Sequence, residues 1–404
     1  MKMRLFIAVG FVVTLTGAAR GADFHFNGYA DLRLIVPSTE GSYAYGDLGK
    51  LRYGYDDGNA TAQLSDIVGE GRVQILPELM AVATGRINPH YGPALDLIEA
   101  YVRYRPISTT PWRWSVKVGA FFPPGSLEND QLGWTSAWTI TPSAINSWVG
   151  YELRTIGAEG KLEWRRDDGT LALTGALFGW NDPAGVLIAD RGWSLDDRVS
   201  GLFEHERIPN TAAIAQHKTP PIYAEEFREL DNRPGWYLDL SWEPAGIGRF
   251  ELMRYDNNAD PTVLGGGQIA WHTSYWNAGY RTEFDNLTLL AQAMTGSTVI
   301  QPRPTFRAAT NFSAAYVLAG LDLDPWRLAA RFDLFRTHTN ATFPSPLSED
   351  GSAVTLDVTW WARSWLQLTG EAIVLDSTRP QRTLVGDPAH DTERQLQLLA
   401  RIYF

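Results

Sequence analysis

LQLLARIYF, residues 396–404, alternates with a period of two up to its last ring. Leu396, Leu398, Ala400, Ile402 and Phe404 fall on one side of an extended chain, and Gln395, Gln397, Arg401 and Tyr403 on the other. Leu399 is the one apolar residue on the polar side. A strand with one greasy and one wet face, ending on an aromatic side chain, is the unit to look for elsewhere.

The same grammar runs back through the chain. In FHFNGYADLRL (24–34), Phe24, Phe26, Gly28, Ala30, Leu32 and Leu34 alternate with His25, Asn27, Asp31 and Arg33. In IEAYVRYRPISTTPWRWSVKVGAF (98–121), Ile98, Ala100, Val102 and Tyr104 alternate with Glu99, Tyr101, Arg103 and Arg105. After a proline-bounded turn, Trp112, Trp114, Val116 and Val118 alternate with Arg113, Ser115 and Lys117. AEGKLEWRRDDGTLALTGALF (158–178) closes a hairpin through Asp168 and Gly169, which both tolerate positive φ. Further short turns are read at 244–248, 285–286, 324–325 and 363–364, with a weaker one at 69–71.

Seven short turns join fourteen strands, and a solitary first and last strand bring the count to sixteen. An even count with both ends on the short-turn side predicts an all-β fold: a transmembrane, antiparallel, up-and-down β-barrel with short periplasmic turns and longer external loops. A closed barrel has no free edge, so its last strand must pair with its first. Pro77 falls inside the third strand of this reading, where a ladder donor would be missing. Trp112, Trp114, Trp164, Trp242, Trp326, Trp360, Trp361 and Trp365 cluster beside short turns, as a girdle at a membrane boundary requires.

At the other end of the chain Lys2 and Arg4 precede an apolar run at 5–15, and Ala19 and Gly21 offer small residues to a signal peptidase. Residues 1–21 therefore read as a cleaved signal peptide and 22–404 as one barrel domain. Cleavage leaves 32 of the 35 basic residues against 46 acidic ones, a net charge of −14, which argues against nucleic acid as a partner. The absence of cysteine excludes a disulfide framework and thiolate zinc sites. No metal or cofactor is expected, and no stretch approaches the roughly eighteen apolar residues of a spanning helix.

Parity sets out the water side of such a barrel. Arg33, Arg103, Arg105, Arg113, Lys117, Lys161, Arg165, Arg281 and Arg331 fall there, with Asp31, Glu99, Glu159, Glu163, Asp239, Glu283, Asp333, Asp357 and Glu371 facing or neighbouring them. Nine bases against nine acids predict little ion discrimination along the strands. The long loop 182–235 holds ten acidic and six basic residues, which predicts a weak preference for cations.

The alternating apolar residues that end in Ile402 and Phe404 resemble the carboxyl-terminal signature of Gram-negative outer-membrane proteins. That resemblance implies the outer membrane of a Gram-negative bacterium, contact with its lipid, and recognition of Ile402 and Phe404 by barrel-insertion machinery. VKVGAFFPPGSLEN (116–129) is similar to the strand and third external loop of the phosphate-selective porin O and P family. The similarity implies a porin: a passive diffusion channel for small hydrophilic solutes or ions, assembled as a homotrimer. It also implies that loop 123–150 folds into the lumen as a constriction carrying Glu128 and Asp130. The family's phosphate channels resemble arginine ladders with lysine clusters, whereas only Lys50, Lys117, Lys161 and Lys218 follow the leader here. Phosphate selectivity is not carried over.

Two other classes compete with the channel. An outer-membrane hydrolase would draw on His90, His272 or His338, but no H-x-x-x-H pair, H-E-x-x-H motif or G-x-S-x-G elbow occurs. A structural or adhesive barrel with a plugged lumen is the other, opposed by the width of a sixteen-stranded barrel. Asp196-Asp197, Glu225-Glu226 and the glycines at 265–267 read as solvated loop.

Overall fold

The computed structural model describes residues 23–38, 40–54, 59–209, 223–342, 345 and 347–404; the leader read at 1–21 lies outside them. Sixteen strands, each paired with its sequence neighbour, close into one antiparallel barrel. The first half contains β1 (Asp23–Val36), β2 (Thr61–Leu76), β3 (Leu79–Ile87), β4 (Leu95–Tyr104), β5 (Trp112–Phe121), β6 (Thr155–Arg166), β7 (Gly169–Gly179) and β8 (Gly235–Pro244). The second contains β9 (Arg249–Asp256), β10 (His272–Phe284), β11 (Leu287–Arg303), β12 (Phe306–Leu323), β13 (Trp326–Ala341), β14 (Glu349–Arg363), β15 (Leu366–Thr378) and β16 (His390–Tyr403). Short turns gather at one end. At the other lie the described parts of E1 (37–60), E2 (88–94), E3 (122–154), E4 (180–234), E5 (257–271), E6 (304–305), E7 (342–348) and E8 (379–389).

The wall is uneven in height. Strands β11 to β14 run 15–18 residues, whereas β3 and β9 run 9 and 8. At about 3.4 Å per residue and a tilt of about 40°, the longest strands rise about 45 Å, beyond an apolar band of about 25 Å. Their outward residues turn polar at the long-loop end, where Asn311, Arg336, His338 and Asp350 are exposed.

The barrel closes through the terminal stretch. Residues 396–403 pair with 36–29 of β1. The Gly28 amide donates to the Phe404 carbonyl at 2.8 Å, and the Phe404 amide donates to that of Gly28 at 3.0 Å. On the outer wall the Phe404 ring stacks on Phe26 at 6.1 Å. It crosses the bare backbone of Gly28, where a Cβ would stand 2.4 Å from ring atom Cε2. Ile402 pairs with Ala30 on one side and Leu366 on the other.

Outward tryptophans form cross-strand pairs at the short-turn end: Trp112 on Trp164 at 5.7 Å, Trp326 on Trp360 at 5.6 Å, and Trp242 on Phe250 at 5.5 Å. Trp180, Trp236 and Trp276 are exposed at the opposite end. Between the two sets lie exposed leucines and valines, so the outer wall carries an apolar belt bounded by aromatic girdles. Two details of the turns and the girdle depart from the sequence reading. The first short turn is made by Pro77 and Glu78, not by 69–71. Gly69 and Gly71 lie within β2, under the rings of Phe26 and Phe24, where they make room instead of breaking the strand. Trp361 leaves the girdle: Trp360 holds the outward position, and Trp361 stacks on Tyr403 at 5.6 Å inside the barrel.

The main hydrophobic core stands inside the barrel. Side chains on the wall cannot fill a sixteen-stranded interior, and here E3 and E4 fold inward to do so. Helix α1 (Ala144–Glu152) is buried on every side, and the Asn146 amide donates to its cap, Ser143 Oγ, at 3.3 Å. Helix α2 (Val186–Asp190) follows in E4. Trp148 of α1 meets Trp193 at 6.0 Å, Tyr275 at 5.5 Å and Phe312 at 5.1 Å. Ile98 joins this core, although strict alternation faces it to lipid. Thr84 of β3 pairs with Glu99 of β4 and Gly85 with Leu97, so Ile98 is the extra residue of a bulge in β4 and turns inward.

Candidate functional site

E3 hangs from the wall on charge-assisted hydrogen bonds. Arg331 of β13 donates to Asp333 at 2.7 Å, to Glu128 at 2.8 Å, and to the carbonyls of Thr141 and Pro142 at 2.6 and 3.0 Å. Glu128 also accepts from the Ser143 amide and from Asn146 Nδ2, each at 2.9 Å. On β15, Glu371 accepts from the amide and hydroxyl of Thr141 at 2.9 and 2.7 Å. Arg331, Asp333 and Glu128 are all sealed from solvent. Such a cluster is favourable only with every partner in place.

E4 clasps E1, E3 and the wall together. Asp196 accepts from the hydroxyls of Tyr43 in E1 and Tyr151 in α1. Asp197 accepts from Arg33 of β1, and from Arg52 of E1 at 2.9 Å. Next to them Arg198 donates to Glu204, and to Glu206 at 2.5 Å. Burial alone would raise the Asp197 carboxyl, but Arg33 and Arg52 outweigh it and hold the group far below the ordinary range. Burial likewise opposes ionisation of Glu204, yet Arg198 and Arg86 bring it down to about 2. Asp196 shifts the other way, with burial outweighing Arg52. The doublet Asp196-Asp197, read from sequence as solvated, is therefore buried and paired. No local signal announces this, because the adjacent Arg198 serves Glu204 and Glu206 while the cations that reach Asp197, Arg33 and Arg52, stand far away in the chain.

The short-turn half of the lumen is wetter. Lys117 pairs with Glu159 at 3.0 Å, and Glu163 takes both Lys161 at 3.0 Å and Arg165 at 2.8 Å. Glu99 accepts from the Phe122 amide at 3.0 Å. Arg281 bridges Glu283 at 2.8 Å and Asp130 at 3.3 Å, bringing the lower part of E3 to β10. Arg103, Arg105 and Arg113 have no ion pair among the described residues. Asp31 is buried between Arg33 and Arg401, and Asp239 and Asp357 are buried too.

Of the nine bases assigned to the water side, only Arg33 and Arg331 are buried, whereas six of the nine acids are. The balance counted along the strands is not the balance a solute meets. Two carboxylate triads, Glu40 with Asp391 and Glu393, and Asp182 with Glu229 and Asp231, have oxygens within 4.8 Å of one another. Their oxygens already accept from the amides of Lys50, Leu51 and Leu230 and from Arg382.

No protein-family model and no curated protein matches the chain. Among solved structures, the chain is similar to the outer membrane channel DcaP of Acinetobacter baumannii, at 10% identity and a TM-score of 0.56, covering 96% of this chain and 99% of that one. It is similar to the anion-selective porin from Comamonas acidovorans at 11% identity and 0.54, covering 95% and 100%. The outer membrane protein OmpT of Vibrio cholerae, in its trimer form, gives 11% and 0.52, covering 95% and 99%. At these identities the likeness is one of fold: a closed sixteen-stranded barrel of the outer-membrane type.

Proposed function

We propose that the chain is a porin-like channel of the Gram-negative outer membrane, passing small hydrophilic solutes through a lumen narrowed by E3 and E4. The observation that carries this reading is the inner wall, charged and partly open to water on β4 to β6 and β10, with E3 fastened across it by Arg331 and Glu371. The short turns would face the periplasm and the apolar belt the lipid. A homotrimer, the form in which the Vibrio cholerae protein is described, is the assembly we infer, with Ile402 and Phe404 read by the insertion machinery. Phosphate selectivity forms no part of the proposal.

No catalytic step belongs to this reading either. His272 pairs with Asp256 at 3.1 Å on the outer wall, and the His90 ring meets the Leu64 carbonyl at 3.2 Å. His338 is exposed on the outer wall, and His390, also exposed, stands between Thr378 at 3.3 Å and Asp376 at 3.5 Å, so that among the described residues neither is shielded from water as a reacting centre would be. Planar-bilayer recording of refolded protein tests the proposal. Small steady channels are expected, with larger conductance when Tyr43→Phe and Tyr151→Phe together remove the hydroxyls that hold Asp196. A membrane that stays closed with both proteins, or hydrolysis of its lipid, would overturn it.

A further inference from the structure

Below the sealed core, the part of E3 from Asp130 to Trp138 meets the inner short-turn ends of β10 to β16 and β1. Between them lies a cavity of about 520 Å³, within the range of about 300–1,000 Å³ usual for small-ligand pockets. Its shape is set by packed groups. Trp138 sits on Gly320 of β12, where a Cβ would stand 2.1 Å from its ring, and Arg327 donates to the Ala137 carbonyl at 2.7 Å.

The lining carries four carboxylates and three arginines, and no arginine is left without an acidic partner. Its three arginines are each committed to a carboxylate: Arg281 to Asp130 and Glu283, Arg327 to Asp322 at 2.6 Å, and Arg401 to Asp31 through two bonds of 2.8 Å. An incoming anion would meet Asp130, Glu283, Asp285 and Asp322, and an incoming cation would meet the guanidinium groups. What the pairs leave available is a set of oriented acceptors and donors, since each carboxylate and guanidinium has bonding capacity beyond one partner. Beside them stand aromatic rings. Trp361 stacks on Tyr403, Tyr29 meets Tyr403 edge-on at 6.4 Å, and the Trp138 ring lies 4.6 Å from the Arg327 guanidinium.

A neutral ring bearing hydroxyl groups matches this lining. Its hydroxyls both donate and accept, its C–H face packs on aromatic carbon, and it brings no charge to upset the pairs. We propose that the cavity is a binding site for a small neutral saccharide at the short-turn mouth of the lumen. The inference rests on the channel reading for its biological role, but the binding itself does not require conduction.

The test is tryptophan fluorescence of the full refolded chain in detergent, titrated separately with maltose, sodium phosphate and glycine. Maltose alone is expected to give a saturable change. Asp322→Asn and Trp361→Leu, each checked for barrel closure by heat-modifiable gel mobility, are expected to weaken it about tenfold, the effect of losing one good hydrogen bond or ring contact. Absence of saturation with maltose, saturation by phosphate or glycine, or unchanged affinity in Asp322→Asn would overturn the proposal. A closed bilayer with intact maltose binding would sink the channel and leave the pocket; conductance without maltose binding would do the reverse.

Discussion

Arg331 spends its donors on groups that have no access to water, and two of them, Glu128 and Asp333, are carboxylates. Replacing it with methionine strands both charges. Arg331→Met is therefore expected to destabilise the folded chain by about 3–5 kcal/mol, read from guanidinium chloride unfolding in lipid vesicles. On β5 the opposite principle applies, because Val118 is exposed on the outer belt while Ser115 faces inward across from Lys161. Val118→Arg should cost about 2–4 kcal/mol near the midplane, and Ser115→Arg less than about 1 kcal/mol, the scale of a like-charge cross-strand pair. Equal losses in the two variants would show that the wall faces the other way. At the seam, Gly28→Val should push the Phe404 ring off the wall and mimic deletion of Phe404. Both variants are expected to lower the amount of assembled barrel at the cell surface, and normal surface levels would refute the role given to that ring.

At the scale of the element, E4 is held less by its own conformation than by borrowed charges. Glu204 lies among Arg198 and Arg86 with its carboxyl brought down to about 2 from an ordinary 4.5. A depressed carboxylate stabilises the folded loop above its unfolded value, and that contribution disappears as pH falls through the folded one. E4 is thus expected to loosen between about pH 4.5 and 2, seen as protease cleavage near Arg198 or a rise in conductance. Asp197, held lower still, keeps its pairs through most of that window. Asp196, raised by burial, has the opposite sign and cannot produce an acid transition there. Glu204→Gln should lack the step. An identical pH profile in the variant would mean that another group sets it.

For the whole molecule, ion preference follows from which charges water reaches. The bases Arg103, Arg105, Arg113, Lys117, Lys161, Arg165 and Arg281 stay accessible, against Glu99, Glu163 and Glu283 among their assigned acidic neighbours. Several E4 acids, including Asp196, Asp197, Glu204, Glu206 and Glu226, lie in the interior or in ion pairs. The weak cation preference expected from loop composition is therefore replaced by the expectation of a modest anion preference. Reversal potentials across a potassium chloride gradient should favour chloride at low salt. The preference should fade near 1 M, where the screening length falls to about 3 Å. A cation-selective reversal potential at low salt would show that the buried carboxylates still govern the pore.

The strand grammar, the count of sixteen, and the closure of 396–404 on β1 were legible in the sequence because they rest on local physics. Period-two alternation and turn chemistry act within a few residues, and a barrel leaves the free edge of its last strand only the first strand to pair with. The failures were local too: Gly69 and Gly71 read as a turn because glycine serves both turns and close ring contacts, and Ile98 could not announce a bulge set by its neighbour strand. The inward fold of E3 was legible only as a resemblance, and the clasp of E4 not at all. Glu128 meets Arg331 across 203 residues of chain, and Arg33 meets Asp197 across 164. Whether a charged residue lines water or anchors a loop depends on which distant group reaches it, and only the closed barrel brings those groups within bonding distance.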